Sequence, residues 1–575
     1  MVALSGNVYG RCGSDAVIIS DVQGSGAASP LVGQTVTVEG IITLDSRHPG
    51  GWRGLYLQQP DGETDDNPRT SDALFIYTDR QGGDVGERVR VTGQVKEHHG
   101  LTELTRVSRL AVCSSGQRPA AIRVQRPWPD QKPPEHLENM RVTLTRPLTL
   151  IGHYSFAKYG ELILADGLQV TPTEILPPGP AAYQMAQQQS LNRLHLDDGK
   201  SARNPQPLPW PAELLAQGKP VRAGDRLSGL TGILDYRFGH WRLQPTQEPR
   251  LSEQRSRPVA PPKTSPDTIR VVTLNLGNFF NGNGEGAEFA NSRGARNQRD
   301  MLAQRDRLVA TLETMNADVI AAVEMENDDY SDTSAIADLA TALGAEWRFV
   351  ATPGETGSDA IRTDLLYRSD RVQAVGKPER LTGGHFGYRG RPPVAQLFRP
   401  AGNQDRLSAV RIVVPHFKSK ACGGATAANR GQQDGQGCYA GRRTDAADAL
   451  VDWLHSLSQP AHFAGDLITG DLNSYAREVP ISRLRRAGLT NLIRIRYPCD
   501  ASDCPQATYR FQGRHGSLDY SLASENLVAK VVDAGVWEIN AEEFPAIGFQ
   551  GPIAASQGVP WRSSDHNPVY TDLAL

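Results

Sequence analysis

The sequence contains no apolar run long enough to cross a membrane. None of its segments approaches the roughly 18 consecutive apolar residues that a transmembrane helix needs. It also lacks a charge excess of one sign, because 61 lysines and arginines nearly balance 64 acidic residues and leave a formal net charge of −3. A global field that would draw the whole protein to nucleic acid is therefore excluded, and only local basic patches can do so.

Cysteine is scarce, with six residues in 575, and no pair has the spacing of a zinc site. The even count, in loops rich in Gly, Asn and Asp, favours disulfides made in an oxidising compartment. Proximity alone suggests the pairs Cys12–Cys113, Cys422–Cys438 and Cys499–Cys504, although six cysteines allow many other connectivities. We therefore expect a secreted protein, extracellular or periplasmic. Its first residues do not form the charged and then apolar segment of a signal peptide, so we expect the signal peptide to be absent from this sequence.

The length of the chain predicts several domains, since 575 residues exceed what one core accommodates. Residues 255–266 contain four prolines and no apolar periodicity, which indicates an extended linker. Before it, short alternating strands end in glycine, as at 33–40, 86–93 and 224–232. We therefore expect two β-modules over 1–118 and 119–254, the linker over 255–266, and a further domain over 267–575.

The glycine-bent strands of the first 254 residues are typical of small Greek-key barrels and resemble tandem OB-folds. Such barrels often bind single-stranded nucleic acid on aromatic and basic side chains. A purely structural β-module remains an equal alternative.

After the linker, strands and helices alternate. Residues 269–274 and 318–323 are predicted as strands, 299–315 and 445–457 as amphipathic helices, and a further strand is predicted to end at Gly470. Polar motifs stand where these strands end, which is where α/β folds place active sites.

Six such motifs follow one another in order. They are TLNLGN at 273–278, VEMEN at 323–327, PHFKSK at 415–420, GDLNS at 470–474, SLDY at 517–520 and SDHNP at 564–568. The set resembles the endonuclease/exonuclease/phosphatase superfamily, with its deoxyribonuclease I-like fold, over the region from 269 to 575. The β-modules and the cysteine-bearing loops further resemble secreted bacterial nucleases of this superfamily. The resemblance implies an α/β domain, a two-layered β-sandwich flanked by helices, preceded by all-β OB-like barrel modules.

Hydrolysis of a phosphodiester needs a hard cation on a phosphoryl oxygen, an activated water, and stabilisation of the leaving oxygen. Mg²⁺ or Mn²⁺ would take carboxylate and amide oxygens, and we expect Glu324, Asn275 and Asp565 to hold it. Ca²⁺ is a candidate additional structural ion.

By resemblance, Asp471 deprotonates or orients the attacking water, and Asn473 holds a phosphate oxygen. Asp519 orients the ring of His566, which contacts the scissile phosphate. His416 is the second phosphate histidine, suited to assisting the leaving oxygen. Arg362 lies on a strand where relatives often carry a cation that contacts phosphate, and a surface arginine is an equal alternative.

The same catalytic set serves nucleases, sphingomyelinases and inositol-phosphate phosphatases, so the fold does not decide the substrate. Arginines are dense at 293–299, in the loop after His416, and at 481–515, where seven arginines stand against two acidic residues. We therefore expect a monomeric enzyme that cuts DNA internally with little sequence specificity, with RNA as a second substrate and no membrane partner. The alternatives are a lipid or other phosphodiesterase or phosphatase of the superfamily, and a non-catalytic nucleic-acid-binding protein.

Overall fold

The protein divides into two compact units. The computed structural model describes residues 12–13, 15–128, 134–282, 289, 293–387, 390–402, 408–553 and 558–575. The first unit takes in the chain up to residue 167 together with 188–214 and 223–255, and the second takes in 168–187, 215–222 and 256–575. Among the described residues, no helix is both long enough and apolar enough to cross a membrane.

The first unit begins with a short helix and a closed five-stranded barrel, whose strands follow the order β1-β2-β3-β5-β4. Its elements are α1 (Ile19–Gln23), β1 (Thr35–Asp45), β2 (Gly54–Gln58), β3 (Ala73–Tyr77), β4 (Glu87–His98) and β5 (Leu101–Ser115). Alternate apolar residues of these strands, such as Val36 and Val38 of β1, point into one buried cluster. The all-β character predicted for this region is confirmed, while its assignment to the OB family stays a prediction.

The second β-region differs from the expected second barrel. It forms a nine-stranded sheet in the order β15-β12-β8-β9-β11-β14-β13-β7-β6. A barrel closes only when its first and last strands pair, and here the two edge strands, of three and four residues, have a neighbour on one side only within the described chain. The strands are β6 (Ile122–Val124), β7 (Arg141–Leu144), β8 (Leu148–Gly152), β9 (Leu162–Ala165), β11 (Arg193–Leu196), β12 (Arg226–Ser228), β13 (Thr231–Arg237), β14 (His240–Pro245) and β15 (Arg250–Glu253).

The second unit is a sandwich of two six-stranded sheets. The first sheet has the order β18-β19-β17-β16-β29-β28, and the second has the order β20-β21-β22-β23-β27-β24. The strands of the first are β16 (Ile269–Phe279), β17 (Val319–Glu326), β18 (Trp347–Phe349), β19 (Ile361–Arg368), β28 (Val531–Val536) and β29 (Val569–Leu573). Those of the second are β20 (Val372–Arg380), β21 (Val394–Pro400), β22 (Ala409–Val414), β23 (Phe463–Asp471), β24 (Thr490–Asn491) and β27 (Asp519–Ala523). A small sheet joins β10 (Gln169–Val170), β26 (Arg514–Gly516) and β25 (Tyr509–Phe511).

Helices cover the outer faces of the sandwich. Alternate residues of β17, Val319 and Ala321, pack between the two sheets, while Ile320 and Ala322 face α6 and α7. A separate cluster joins the second sheet to α8 and α9. The two-layered sandwich flanked by helices is thus confirmed. Along the whole described chain, the helices after α1 are α2 (Phe156–Tyr159), α3 (Pro172–Ile175), α4 (Pro180–Leu191), α5 (Ala212–Ala216), α6 (Gln298–Thr314), α7 (Ala335–Leu343), α8 (Ala440–Ser456), α9 (Val479–Arg486), α10 (Leu492–Arg496) and α11 (Glu525–Val528).

The proline-rich segment before β16 is held to the second unit by a buried arginine. Arg270 is fully buried and forms a paired ionic contact with Asp572, with both N–O distances at 2.7 Å. Its other N–H groups donate to the carbonyls of Pro261, Pro262 and Met315. Every donor of this guanidinium is satisfied, which is the condition for burying its charge.

The three disulfides expected from proximity are present. They join Cys12 to Cys113, Cys422 to Cys438 and Cys499 to Cys504. The second and third close short local loops, so they restrain these loops rather than the whole fold.

Candidate active site

Three strand ends of the second sheet bring polar residues together. Asp471 is the last residue of β23, and in the antiparallel register it lies opposite Asp519, the first residue of β27. His416 follows β22, which runs parallel to β23, and it forms a bridge with Asp471. The backbone register alone therefore places these three side chains in one group.

Asn275 reaches the same group from the first sheet. Its Nδ2 lies 3.4 Å from Oδ2 of Asp471, and its Oδ1 accepts a hydrogen bond of 3.0 Å from the amide of Gly277. Deeper between the sheets, the hydroxyls of Thr273 and Thr469 form a hydrogen bond. Small polar side chains at this point let the two sheets approach, and the site forms where they meet.

Glu324 stands at a break in the alternation of β17. Its φ of 62° lies in the left-handed region, and the pairing with β19 shifts register between Val323 and Met325. Such a bulge re-aims a side chain, and strained backbone of this kind is concentrated at functional sites. The Glu324 carboxylate accepts from the amide and the side chain of Asn278, at 3.0 and 2.8 Å. Burial, followed by the charge of Asp565, raises the pKa of Glu324.

Asp519 and His566 form a hydrogen-bonded pair. Nδ1 of His566 lies 2.7 Å from Oδ2 of Asp519, and the ring of Tyr509 packs 4.4 Å from the imidazole. Burial disfavours the charged ring, but the carboxylates of Asp519, Asp565 and Asp471 outweigh it and raise the pKa of His566 well above its usual value. The pair has the arrangement in which a carboxylate selects the tautomer and orientation of a catalytic imidazole.

Asp471 lies at the centre of the group. Its Oδ1 accepts a 2.8 Å hydrogen bond from the amide of Asn473, and its Oδ2 lies 3.4 Å from Nε2 of His416. Burial and the neighbouring Asp519 charge raise the pKa of Asp471 to about 7. Asn473 has a φ of 46°, and its Nδ2 donates to the carbonyl of Phe417 at 3.2 Å. This turn therefore fixes both side chains of the GDLNS motif.

A buried arginine that the sequence analysis missed contacts His416. Nη1 of Arg391 lies 2.9 Å from Nδ1 and 2.5 Å from Nε2 of this ring. Burial and the Arg391 charge lower the pKa of His416 well below its usual value, so the ring is neutral. Asp359 lies 3.7 Å from Arg391 and 2.7 Å from Arg293. No sequence signal marks Arg391, because it lies in a loop before β21 whose neighbours become close only in the folded chain.

Arg362 is placed elsewhere, and the expectation that it contacts phosphate is not supported. Its side chain is fully buried in β19, where Nε donates to Asp364 at 2.7 Å. Its Nη atoms donate to the carbonyls of Asp328 and Asp329, and the guanidinium stacks on Tyr330 at 4.3 Å. Since a buried charge must be paired, Arg362 serves to hold this turn against the sheet.

The site suits a divalent cation. Glu324, Asp471, Asp519 and Asp565 bring four carboxylates together, and their mutual repulsion contributes to the raised pKa values of Glu324 and Asp471. Oδ1 of Asp519 is buried without a hydrogen-bond partner in the described part of the chain. Hard oxygen donors with excess negative charge are what Mg²⁺ and Mn²⁺ bind.

Two groups of residues are candidates for holding the ion. Asp471, Asp519 and His566 offer ligand atoms within 4.8 Å of one another. Because Asp519 already holds Nδ1 of His566, we assign that pair to orienting and transferring protons. We keep Asn275, Glu324 and Asp565 as the predicted metal ligands, and Asp565 is exposed at the surface of the site.

We expect Arg391→Ala to lower kcat/KM on a phosphodiester by about 100-fold, because a buried guanidinium beside a phosphate bound at His416, as the sequence predicts, would stabilise developing negative charge. Arg391→Lys keeps the charge but loses the planar donor geometry, so it should restore part of the rate. Steady-state kinetics and melting temperatures of both variants check this. A loss of stability in both variants with unchanged kcat/KM would show that Arg391 only supports the fold.

Comparisons with known proteins show which sequences and structures this chain resembles. No curated protein sequence matches the chain. An endonuclease/exonuclease/phosphatase family protein from Bacteroides thetaiotaomicron is 15% identical, with 53% of this chain and 97% of that chain covered and a TM-score of 0.33. For the human Nocturnin catalytic domain the identity is 18%, the coverages are 54% and 94%, and the TM-score is 0.33. An AP endonuclease from Leishmania major is 15% identical, with 55% of this chain and 93% of that chain covered and a TM-score of 0.35.

Two family models match the sequence. One, a domain of unknown function (DUF8508), matches residues 134–256. The other, described as the Endonuclease/Exonuclease/phosphatase family, matches residues 272–566, which is more than half of the 575 residues. It includes five of the six motifs in full and the sixth as far as His566. The chain belongs to the endonuclease/exonuclease/phosphatase family.

Proposed function

We propose that this protein is a secreted, divalent-metal-dependent nuclease that hydrolyses phosphodiester bonds within DNA, with little sequence specificity. The observation that carries the proposal is the convergence on Asp471. Asn275 approaches it from one sheet, and His416 and Asp519 approach it from the other. This group combines oxygen ligands, a base and two histidines, the set that phosphodiester hydrolysis requires.

The metal ion, held by Asn275, Glu324 and Asp565, would polarise a phosphoryl oxygen. Asp471 accepts a proton from water as the water oxygen forms its bond to phosphorus. The bond from phosphorus to the leaving oxygen then breaks, and that oxygen keeps the electron pair and takes a proton from solvent water. Asn473 holds a phosphoryl oxygen through its side-chain amide.

The two histidines act on different oxygens in this proposal. Because Nδ1 of His566 is held by Asp519, Nε2 is the ring atom that contacts the phosphoryl group. His416, with Arg391 donating to its ring, lies beside the leaving oxygen. Arg391 then supplies there the positive charge that the neutral imidazole lacks.

Charge and disulfides support extracellular DNA as the substrate. Three disulfides suit an oxidising compartment, and Arg293, close to the site, is half-exposed. Two cations that follow His416 in the chain are already engaged, however. Lys420 forms an ion pair with Glu478, and Arg443, on α8, is buried and donates to backbone carbonyls. These two cations support the fold of this segment and are not available to DNA.

The test is a substrate panel with the full chain. Circular single-stranded DNA, linear duplex DNA, RNA, sphingomyelin and bis(4-nitrophenyl) phosphate are each incubated with Mg²⁺, with EDTA, and with EDTA followed by excess Mg²⁺ or Mn²⁺. We expect cleavage of both DNAs, including the circle, its loss on chelation, and its recovery with either ion.

Full activity after exhaustive chelation would contradict the metal requirement. Hydrolysis of sphingomyelin with intact DNA would instead identify a lipid phosphodiesterase. DNA binding without hydrolysis of any substrate would identify a binding protein.

A further inference from the structure

A second cluster of arginines surrounds a cavity at one edge of the second sheet. The cavity has a volume of about 700 Å³ and lies beside β24, α9 and α10. Arg477, Arg485, Arg486 and Arg494 line it, and Glu174 is the acidic residue among its lining residues. We call this group the arginine pocket.

One of the four arginines, Arg494, is held by contacts within the protein. Nε of Arg494 lies 2.7 Å from Glu174, whose side chain is fully buried. The Nη atoms of Arg494 donate to the carbonyls of Tyr497 and Pro505 and to Oγ of Ser517. The single carboxylate of the pocket is therefore already neutralised.

The other three arginines have no such partner. Arg477, Arg485 and Arg486 are exposed, and no ion pair or side-chain hydrogen bond is found for them in the described ranges. Elsewhere in the same basic segment the protein does pair its arginines: Arg496 with Asp533 at 2.6 Å and Arg510 with Glu542 at 3.2 Å. Three uncompensated positive charges thus face one cavity, which favours a ligand carrying several negative charges.

The pocket is joined to the candidate active site through the chain. Ser517, which accepts from Arg494, stands two residues before Asp519. The Glu174 carboxylate also lies 3.3 Å from the amide of Ser517. One short segment therefore contributes to the pocket and carries the carboxylate that orients His566. A nucleic acid strand has a phosphate about every 3.4 Å along its axis, so a strand that extends beyond His566 offers a series of phosphates to a cluster of positive charges.

We propose that the arginine pocket binds backbone phosphates of the DNA strand beyond the bond that is cut. This inference rests on the proposed function. It assigns Arg477, Arg485 and Arg486 to holding the substrate, and it gives them no part in the chemistry. The enzyme would then bind long DNA more tightly than a small diester, with an affinity that falls steeply with salt.

The test compares two triple variants of the full chain. Arg477→Gln/Arg485→Gln/Arg486→Gln removes the three charges of the pocket. Arg348→Gln/Lys377→Gln/Arg399→Gln removes one charge from β18, an edge strand of the first sheet, and two from β20 and β21, the edge strand of the second sheet and its neighbour, at the end away from β24. For each, KM on long DNA is measured over a range of salt concentrations, together with kcat/KM on bis(4-nitrophenyl) phosphate and the melting temperature.

We expect the pocket variant to raise KM on DNA by about 10-fold and to reduce the slope of log affinity against log salt by about 2 to 3, near one unit for each lost phosphate contact. Hydrolysis of the small diester and the melting temperature should stay unchanged, and the control variant should behave as wild type. The melting temperature matters because arginines in the last turn of α9 also interact favourably with its dipole.

Equal KM values and salt slopes for the pocket variant and the control would overturn the inference while leaving DNA as the substrate. If inorganic phosphate binds the wild type and not the pocket variant, with KM on DNA unchanged in both, the pocket takes a free anion and the inference is also wrong. If the wild type cleaves the small diester but no nucleic acid, the proposed function fails, and this inference fails with it.

Discussion

Replacing Asp471 by asparagine is expected to lower kcat on DNA by about three to four orders of magnitude. The amide keeps the shape of the side chain and can still accept from the amide of Asn473 at Oδ1, but it cannot take a proton from water. Loss of a well-placed general base typically costs ~10²–10⁴-fold, and the group also lies against Asn275, a predicted metal ligand.

The Asp471→Asn variant should not lose stability, although its kcat falls. Burial and the Asp519 charge raise the pKa of Asp471, which means that its ionised form is costly in the folded protein. The neutral amide removes that cost, so the melting temperature should stay the same or rise. Single-turnover cleavage and thermal unfolding measure the two effects separately.

Asp466 provides a matched control on the same strand. It lies on β23, like Asp471, and pairs with Arg411 at 2.6 Å, outside the predicted site. Asp466→Asn should therefore leave kcat close to that of wild type. If Asp471→Asn retained more than about a tenth of wild-type kcat, the assignment of the base would be wrong.

The Asp519 and His566 pair is expected to act as one unit. His566→Ala should lower kcat by about 1,000-fold, and Asp519→Asn by a similar factor, because the ring then loses the carboxylate that orients it. The double variant should be little worse than the more damaging single variant, since groups that act together give strongly non-additive effects.

The Mg²⁺ dependence of these variants shows whether Asp519 and His566 act on the substrate or bind the metal ion. If Asp519 only positions His566, Asp519→Asn should leave the Mg²⁺ concentration for half-maximal rate close to that of wild type. A large increase in that concentration, together with additive losses in the double variant, would show that Asp519, Asp471 and His566 form the metal site instead.

Much of the second unit could be predicted from the sequence because the patterns that indicate its strands and helices are local. The short apolar runs of β16 and β17 and the helical stripe of α6 are set by which side chains must be buried, and all three elements are confirmed. The cysteine pairs of the two short loops were accessible for the same reason, since closely spaced cysteines meet at little entropic cost.

The fold of the β-region before residue 254 was harder to predict from the sequence. Its strands were recognisable, but strand order was not, because the same alternating pattern suits a closed barrel and an open sheet. The first five strands close into a barrel, whereas the following nine do not. Pairing between edge strands distant in sequence decides this, and no local pattern reports it.

Which side chains share the active site was decided partly by the sequence and partly by the tertiary structure. The sequence by itself determined that polar residues, Asp471, Asp519 and His416 among them, stand where strands begin or end. Which of these strands are neighbours was decided by the pairing of the sheet. Which groups the arginines contact was decided only by the folded chain. Arg362 is buried by Asp364 and two backbone carbonyls, whereas Arg391 enters the site from a loop. A guanidinium reaches so far from its backbone that its partners depend on long-range packing, which residue type and spacing do not specify.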